Sequence, residues 1–240
     1  MGYRPPMSEP NDIIYGVHPV AEALKNPKRK IYSLKASKNA ADRLAAEIAA
    51  RGIVPEIIHP NVLDKRLGAD AVHQGLLIEA KPLDQPRLDQ IEKSGIVVLL
   101  DQVTDPHNVG AILRTCAAFN VTALVATSRH SPDASAVLFK SASGAYEHVP
   151  FVKVTNLSRA MAELKDYGFR ILGLDSEAPE DIAAVDRSPP VAIVLGAEGK
   201  GLRQLTRNSC DHLVRLDMNG PIQSLNVSNA CAITLYALTR

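Results

Sequence analysis

Cysteine is scarce and scattered: Cys116, Cys210 and Cys231 form no CxxC pair and are odd in number. That argues against a disulfide framework and against a zinc site, so all three are expected to be small buried hydrophobes, and no metal is expected. Long apolar runs are missing too, with nothing near the roughly 18 to 20 residues a membrane span needs. The opening stretch, MGYRPPMSEPND, has neither the apolar core of a signal peptide nor the Arg/Ser-rich amphipathic character of a transit peptide. The expected compartment is the cytoplasm, with no membrane association. Charge of one sign is also lacking: the formal net charge is +1, which is no global signature of nucleic-acid binding. Two phosphate-binding fingerprints are absent, since no GxGxxG follows a first strand and no GxxxxGK[ST] occurs.

What is present is a chain of 240 residues, 46% of them hydrophobic, enough to bury a good core in one large or two modest domains. Residues 1–12 are polar, Pro-containing and aperiodic, and read as a disordered tail. From 13 to 80 the pattern alternates. GVHPVAEALK suggests a short helix, KIYSLKAS a strand, NAADRLAAEIAARG a helix capped by Gly52, Ile53 to Ile58 a strand, 60–67 a short helix and GLLIEA a last strand. This is a small α/β unit. A linker is expected at 81–94, where KPLDQPRLDQIEKSG carries two prolines and many charges. From 95 to 240 strand, loop and helix repeat, and the strands VVLL, ALVA, ILGL and AIVL are apolar on both faces. A mostly parallel sheet covered by helices requires that pattern.

Three loops in the second unit each follow an apolar strand and carry Gly with small polar residues. In open parallel sheets ligands bind beyond the carboxyl ends of the strands, so the three are candidates to converge on one site. The first runs from Leu100 to Val121. Between Pro106 and Ser128 its only Lys, Arg, Asp or Glu is Arg114. Such a charge must find an anion, reach water or stand unpaired at a cost. Asn108 is a favoured N-cap residue, and Gly110, four residues before Arg114, would let a ligand approach beside the guanidinium. The bland alternative makes Asn108 only a cap and Arg114 an interface ion pair. The second loop, VAIVLGAEGKGL, places Gly196, Gly199 and Gly201 around Glu198; the alternative is a plain turn. The third, RLDMNGPIQSLNVSNACAITLYAL, offers Ser224 or Asn226 as a helix cap with more polar side chain than capping needs. Near the N-terminus Lys25, Lys28, Arg29, Lys30, Lys35 and Lys38 follow one another with no acid between them, a local basic patch or a solvated rim.

NVGAILR, IVLGAEGKGL and RLDMNGPIQSLNVSNA, at these spacings, resemble as a set the three signature motifs of the SpoU/TrmH family of RNA ribose 2′-O-methyltransferases. The likeness spans about 101 to 238. The segments YGVHPVAEALK and VHQGLLIEA resemble that family's substrate-binding domain. The resemblance implies a SPOUT α/β domain with a C-terminal trefoil knot, preceded by a small L30e-like RNA-binding domain. It also implies S-adenosylmethionine as cofactor, homodimers with active sites near the interface, and a guanosine in the peptidyl-transferase P loop of 23S ribosomal RNA as target, with transfer RNA as the alternative substrate. By motif position it makes Asn108, Arg114, Glu198, Ser224 and Asn226 catalytic-site residues, and Gly196, Leu216, Met218 and Leu225 the cofactor pocket. Lys28, Arg29, Lys30, Lys35 and Lys38 become the RNA-binding set. Asp217 and Asn229 depart from the family pattern, which puts the fine shape of the pocket in question.

Arginine stays protonated in proteins, so Arg114 is expected to grip a phosphate and stabilise a developing oxyanion rather than act as a base. Glu198 is expected to orient Arg114 or a helix end. Two rivals remain: a nicotinamide or nucleotide enzyme, and a non-catalytic RNA-binding protein.

Overall fold

A computed structural model describes residues 11–129, 131–222 and 224–240. The chain divides into two compact units: residues up to Asp84 together with Ala134–Lys140, and Gln85–Asp133 with Ser141–Arg240. Most of the expected N-terminal tail lies outside the described residues. Its end does not: Asp12 opens a strand and is buried against Arg29.

The first unit orders β1 (Asp12–Tyr15), α1 (Val17–Lys25), β2 (Ile31–Ala36), α2 (Lys38–Arg43), α3 (Ala45–Arg51), β3 (Glu56–Ile57), α4 (Asn61–Leu67) and β4 (Leu76–Ala80). Its sheet runs β1-β4-β2-β3, with the β4 pairings antiparallel and β2-β3 parallel. The stretch 38–51, which reads as one helix, is two. Leu44, at φ −110 and ψ 23, ends the first and starts the second, and its burial at 4% exposure shows what the break gains. Gly52 closes α3 in the left-handed conformation, the C-cap its position suggests.

The second unit contains β5 (Ile96–Asp101), α5 (Pro106–Ala118), β6 (Ala123–Thr127), β7 (Phe151–Val154), α7 (Leu157–Asp166), β8 (Arg170–Leu174), β9 (Glu180–Asp181), β10 (Val191–Gly196), α8 (Gln204–Ser209), β11 (His212–Arg215) and α9 (Val227–Leu238). Helix α6 (Ala136–Ala142) is grouped mainly with the first unit, whereas the sequence pattern keeps it with the second. The seven strands run β7-β6-β5-β10-β8-β11-β9 and every pairing is parallel. Strand β10 is fully apolar along VAIVL and lies between β5 and β8, both earlier in the chain. Val97, Leu99, Val125, Met161, Phe169, Ile171 and Val194 form the heart of the core. In the stretch 81–94, Leu88 and Ile91 are buried in that same cluster, so the segment contributes apolar side chains to the second unit.

Candidate active site

The carboxyl ends of β8, β10 and β11 open into a cleft of about 190 Å³. Leu174 and Asp175 reach it from the end of β8, and Leu195 and Gly196 from the end of β10. Leu216 and Met218 follow β11, and Ser224, Leu225 and Val227 lead into α9. All four residues expected to line the cofactor pocket, Gly196, Leu216, Met218 and Leu225, are on this cleft, with Glu198 and Ser224 beside them. Its walls are largely leucine, methionine and glycine backbone. Asp217 and Asn229 are not among its lining residues. Asp217 instead accepts from Arg215 Nε at 2.8 Å.

The loop after β10 is shaped by close approach. A Cβ on Gly196 would lie 2.2 Å from the Gly201 carbonyl carbon and 2.5 Å from the Leu202 nitrogen, so no side chain fits there. The loop folds back on itself through Gly201 N–H donating to the Ala197 carbonyl at 2.8 Å, with Gly201 at φ +63. Asp101, at the end of β5, fixes the far side of that loop. Fully buried, its carboxylate accepts from the Arg203 amide at 2.9 Å and from Arg203 Nε at 2.7 Å. Sequence reasoning missed this pair, although the signal is visible: Asp101 is the lone acid closing the apolar strand IVVLLD. Asp175 is likewise committed, to Arg207 and to the Glu177 amide.

Helix α5 carries the first motif, and its cap corrects the expectation. Asp105 is the N-cap, accepting from the His107 amide at 2.9 Å, and Pro106 takes the first helical position. Proline there costs no hydrogen bond and presets φ, so the helix starts three residues earlier than Asn108 as its cap would place it. Asn108 is thus free for lateral contact. Its Oδ1 accepts from Asn226 Nδ2 at 3.0 Å, and its Nδ2 donates to Glu198 Oε2 at 3.5 Å, the outer limit for such a bond. Asn226 does cap α9: its Oδ1 accepts from the Ser228 amide at 2.9 Å and the Ser228 hydroxyl at 2.6 Å. The three motifs therefore meet in one chain of bonds, Ser228 to Asn226 to Asn108 to Glu198. Ser228 had no role in the sequence reading, though the Asn-x-Ser spacing of an Asx cap points to it.

Arg114 stands apart. It is exposed on α5 and has no hydrogen bond or ion pair among the described residues. Of the two roles expected of Glu198, it does not hold Arg114; it lies instead on Asn108, at the N-terminal end of α5. Asn108 and Arg114, six residues apart on one helix, face different ways. Ser224 is exposed on the cleft and likewise unbonded among the described residues.

The basic patch is smaller than its residue count. Arg29 is fully buried, donating to Asp12 Oδ2 at 2.5 Å and to the Lys81 carbonyl at 3.0 Å, so it is structural and leaves the RNA-facing set. The turn 26–30 draws it inward, where pairing with Asp12 and the bond to the Lys81 carbonyl make its burial tolerable. Lys25 pairs with Glu22, and Lys35 with Glu56 at 2.6 Å. Lys28, Lys30 and Lys38 remain exposed without anionic partners among the described residues.

Cys116 and Cys231 are buried, and Cys210 is partly so. Hydrogen bonding to Cys231 and burial raise the Cys116 thiol well above its ordinary value, and burial pushes Cys210 up to about 12. No group of His, Cys, Asp and Glu suited to a metal occurs among the described residues. No helix among them is long and apolar enough to cross a membrane.

The fold and the cleft place the chain among α/β proteins whose ligand site lies beyond the carboxyl ends of a parallel sheet. More narrowly, the chain belongs to the SpoU rRNA methylase family, whose model matches residues 95–236; a second model, RNA 2′-O ribose methyltransferase substrate binding, matches 13–86. The chain is 40% identical over 243 residues to a 23S rRNA (guanosine-2′-O-)-methyltransferase RlmB of Vibrio vulnificus, covering 96% of this chain and 97% of the relative. It is 32% identical to a putative TrmH family tRNA/rRNA methyltransferase, YacO, of Bacillus subtilis, over 98% and 97% of the two chains. Among solved structures, the SpoU methyltransferase AviRb of Streptomyces viridochromogenes, in complex with the cofactor AdoMet, matches with a TM-score of 0.80 at 23% identity, over 95% of this chain and 89% of that one. At that identity the likeness speaks for the fold.

Proposed function

We propose that this protein transfers a methyl group from S-adenosylmethionine to the ribose 2′-oxygen of a guanosine in 23S ribosomal RNA, in the peptidyl-transferase P loop. The observation that carries the reading is the convergence of Gly196, Leu216, Met218 and Leu225 with Glu198 and Ser224 on one cleft. The near-full-length likeness to the Vibrio enzyme supports the choice of RNA. The alternative substrate, transfer RNA, has the mixed tRNA/rRNA name of the Bacillus relative in its favour.

The cleft fits the cofactor. Leu174, Leu195, Leu216 and Leu225 offer apolar walls to a flat purine, and the glycine backbone around Gly196 offers amides and carbonyls at close range. When bound, S-adenosylmethionine supplies an electrophilic methyl on a sulfonium. The chain's own residues then have three tasks. Arg114, charged and without a partner among the described residues, binds the phosphate next to the target ribose and stabilises negative charge developing on the 2′-oxygen. Asn226, held by Asn108 and Ser228, fixes the start of α9 at the cleft mouth. Ser224, on the cleft and unbonded among the described residues, offers its hydroxyl to the ribose. The 2′-hydroxyl proton passes to phosphate or water, since a guanidinium has no lone pair to take it.

The finer architecture belongs to the same proposal. Residues 13–80 form an L30e-like RNA-binding domain, 81–94 the connection, and 95–240 a SPOUT domain whose C-terminal segment is threaded as a trefoil knot. The insertion of β10 between β5 and β8 supports that threading. The protein works in the cytoplasm as a homodimer. Ile233 and Tyr236, 47% and 54% exposed on α9, and Ile222 at 73% supply apolar surface for the interface.

Two measurements test the reading. Calorimetric titration should show binding of S-adenosylmethionine and none of NAD. Labelled methyl groups should enter unmodified 23S RNA in preference to transfer RNA; the reverse preference would move the assignment to the alternative.

A further inference from the structure

The small unit presents an aromatic side chain that the basic patch alone does not explain. Tyr32 lies on β2 and is 51% exposed, while Leu34 and Ala36, two and four residues on, are buried. The pairing with β4 shows the cause: Ile31 pairs with Ala80 and Ser33 with Glu79, neighbours on β4, so Tyr32 is the extra residue of a β-bulge. Bulges re-aim a side chain without ending the strand. The neighbouring edge is open as well, because β3 pairs only with Lys35 and Ala36, leaving 31–34 without a second strand partner among the described residues.

The chain before Tyr32 is held firmly. Arg29 is buried on Asp12, Arg51 donates to the Arg29 carbonyl, and the Lys81 amide donates to the Lys30 carbonyl at 2.8 Å. With Arg29 pinned inward, Lys28 and Lys30 on either side of it stay exposed. The Lys30 ammonium lies 5.8 Å from the centroid of the Tyr32 ring. An exposed, bulge-presented aromatic with Lys30 beside its ring and Lys28 exposed four residues earlier, neither lysine with an anionic partner among the described residues, matches what single-stranded nucleic acid asks of a protein: a flat face for a base and positive charge for the phosphates beside it.

We propose that Tyr32, with Lys28 and Lys30, forms a base-stacking contact for an unpaired nucleotide of the RNA substrate. The contact deepens the RNA-methylation reading and rests on it for the identity of the RNA. Tyr32 would then select for a flipped or looped base rather than a continuous duplex, since a stacked base offers no free face.

The test is binding by the full-length protein, without methyl donor, to an unmodified 23S RNA fragment that spans the P loop, read by fluorescence anisotropy at fixed salt. Tyr32→Ala is expected to weaken binding at least about fivefold, and Tyr32→Phe to stay within about twofold. Tyr32→Leu, which keeps apolar bulk in the strand, should lose as much as Tyr32→Ala and guards against a simple folding defect. Replacing Lys28 and Lys30 by Gln should reduce the slope of log affinity against log salt by about 1.4, while Tyr32→Ala leaves that slope unchanged. Parental affinity in Tyr32→Ala, or in Tyr32→Leu, would overturn the stacking contact. If the parent binds RNA and the Tyr32 variants lose it, yet no methyl is transferred, the contact stands and the methyltransferase reading falls. If methyl transfer proceeds and Tyr32→Ala binds normally, only the contact falls.

Discussion

Arg114 is the residue on which the chemistry turns, and its isolation makes it simple to test. Because it is exposed and makes no hydrogen bond or ion pair among the described residues, replacing it should leave stability within about 0.5 kcal/mol of the parent. Arg114→Lys keeps the charge but loses the planar fork, and turnover is expected to fall about a hundredfold with cofactor affinity unchanged. Single-turnover kinetics beside a calorimetric titration checks this, and near-normal turnover would rule out bidentate grip. Asn226→Ala removes both a helix cap and the link to Asn108. It should cost about 1 kcal/mol in thermal unfolding and lower activity as well. The thiols make a third case. Raised as they are in Cys116 and Cys210, they should resist iodoacetamide at neutral pH until the protein is unfolded, as mass spectrometry would show. At this scale the sequence was informative about which residues gather and less so about how they bond. Asn108 reads as a cap because the Asp-Pro pair before it reads as a turn, yet a proline at the first helical position is itself a start signal. Arg29 reads as surface because nothing in its neighbourhood reveals that Asp12 waits for it.

Among elements, the loop between β10 and α8 carries the site, and its two anchors can be separated by experiment. Gly196→Ala would drive a methyl group into the Gly201 backbone, so a loss of about 1 to 3 kcal/mol is expected together with loss of cofactor binding. Asp101→Ala leaves Arg203 half exposed and able to rehydrate, so the cost is about 2 kcal/mol, below that of breaking a fully buried ion pair, and falls on the loop. Asp211 ties α7 and β8 together by accepting from Lys165 Nζ at 2.6 Å and the Ile171 amide at 2.8 Å. Burial works against its charge, but those partners outweigh it and hold the carboxyl below the usual range. The unfolded chain therefore binds this proton more readily, so the stability Asp211 contributes is present above about pH 4 and is lost as pH falls through its folded value. Urea denaturation should separate parent from Asp211→Asn at pH 7, with the gap narrowing as pH falls below about 4. Long apolar strands and amphipathic helices of this unit were legible from periodicity. Short polar ones such as β9 and α8 were not, because too few residues repeat to show a period, and the break at Leu44 is set by packing in a run of helix formers.

For the whole molecule, the sequence pattern shows parallel strands but not their order. Nothing in VAIVLG announces that β10 inserts between two earlier strands, since strand order is decided by crossovers and helix packing across the chain. The motifs compensate, because the family they mark places the cleft without needing that order. A homodimer buried over α9 predicts that Ile233→Glu with Tyr236→Glu yields a monomer by light scattering and reduces methylation; an unaltered mass would exclude that face. The account as a whole stands on one reaction. Incubating the protein with S-adenosylmethionine and unmodified 23S RNA, then mapping alkali-resistant linkages nucleotide by nucleotide, should reveal a single ribose-methylated guanosine in the P loop. Absence of any ribose methyl on that RNA and on transfer RNA, or a methyl found on a base, would contradict it.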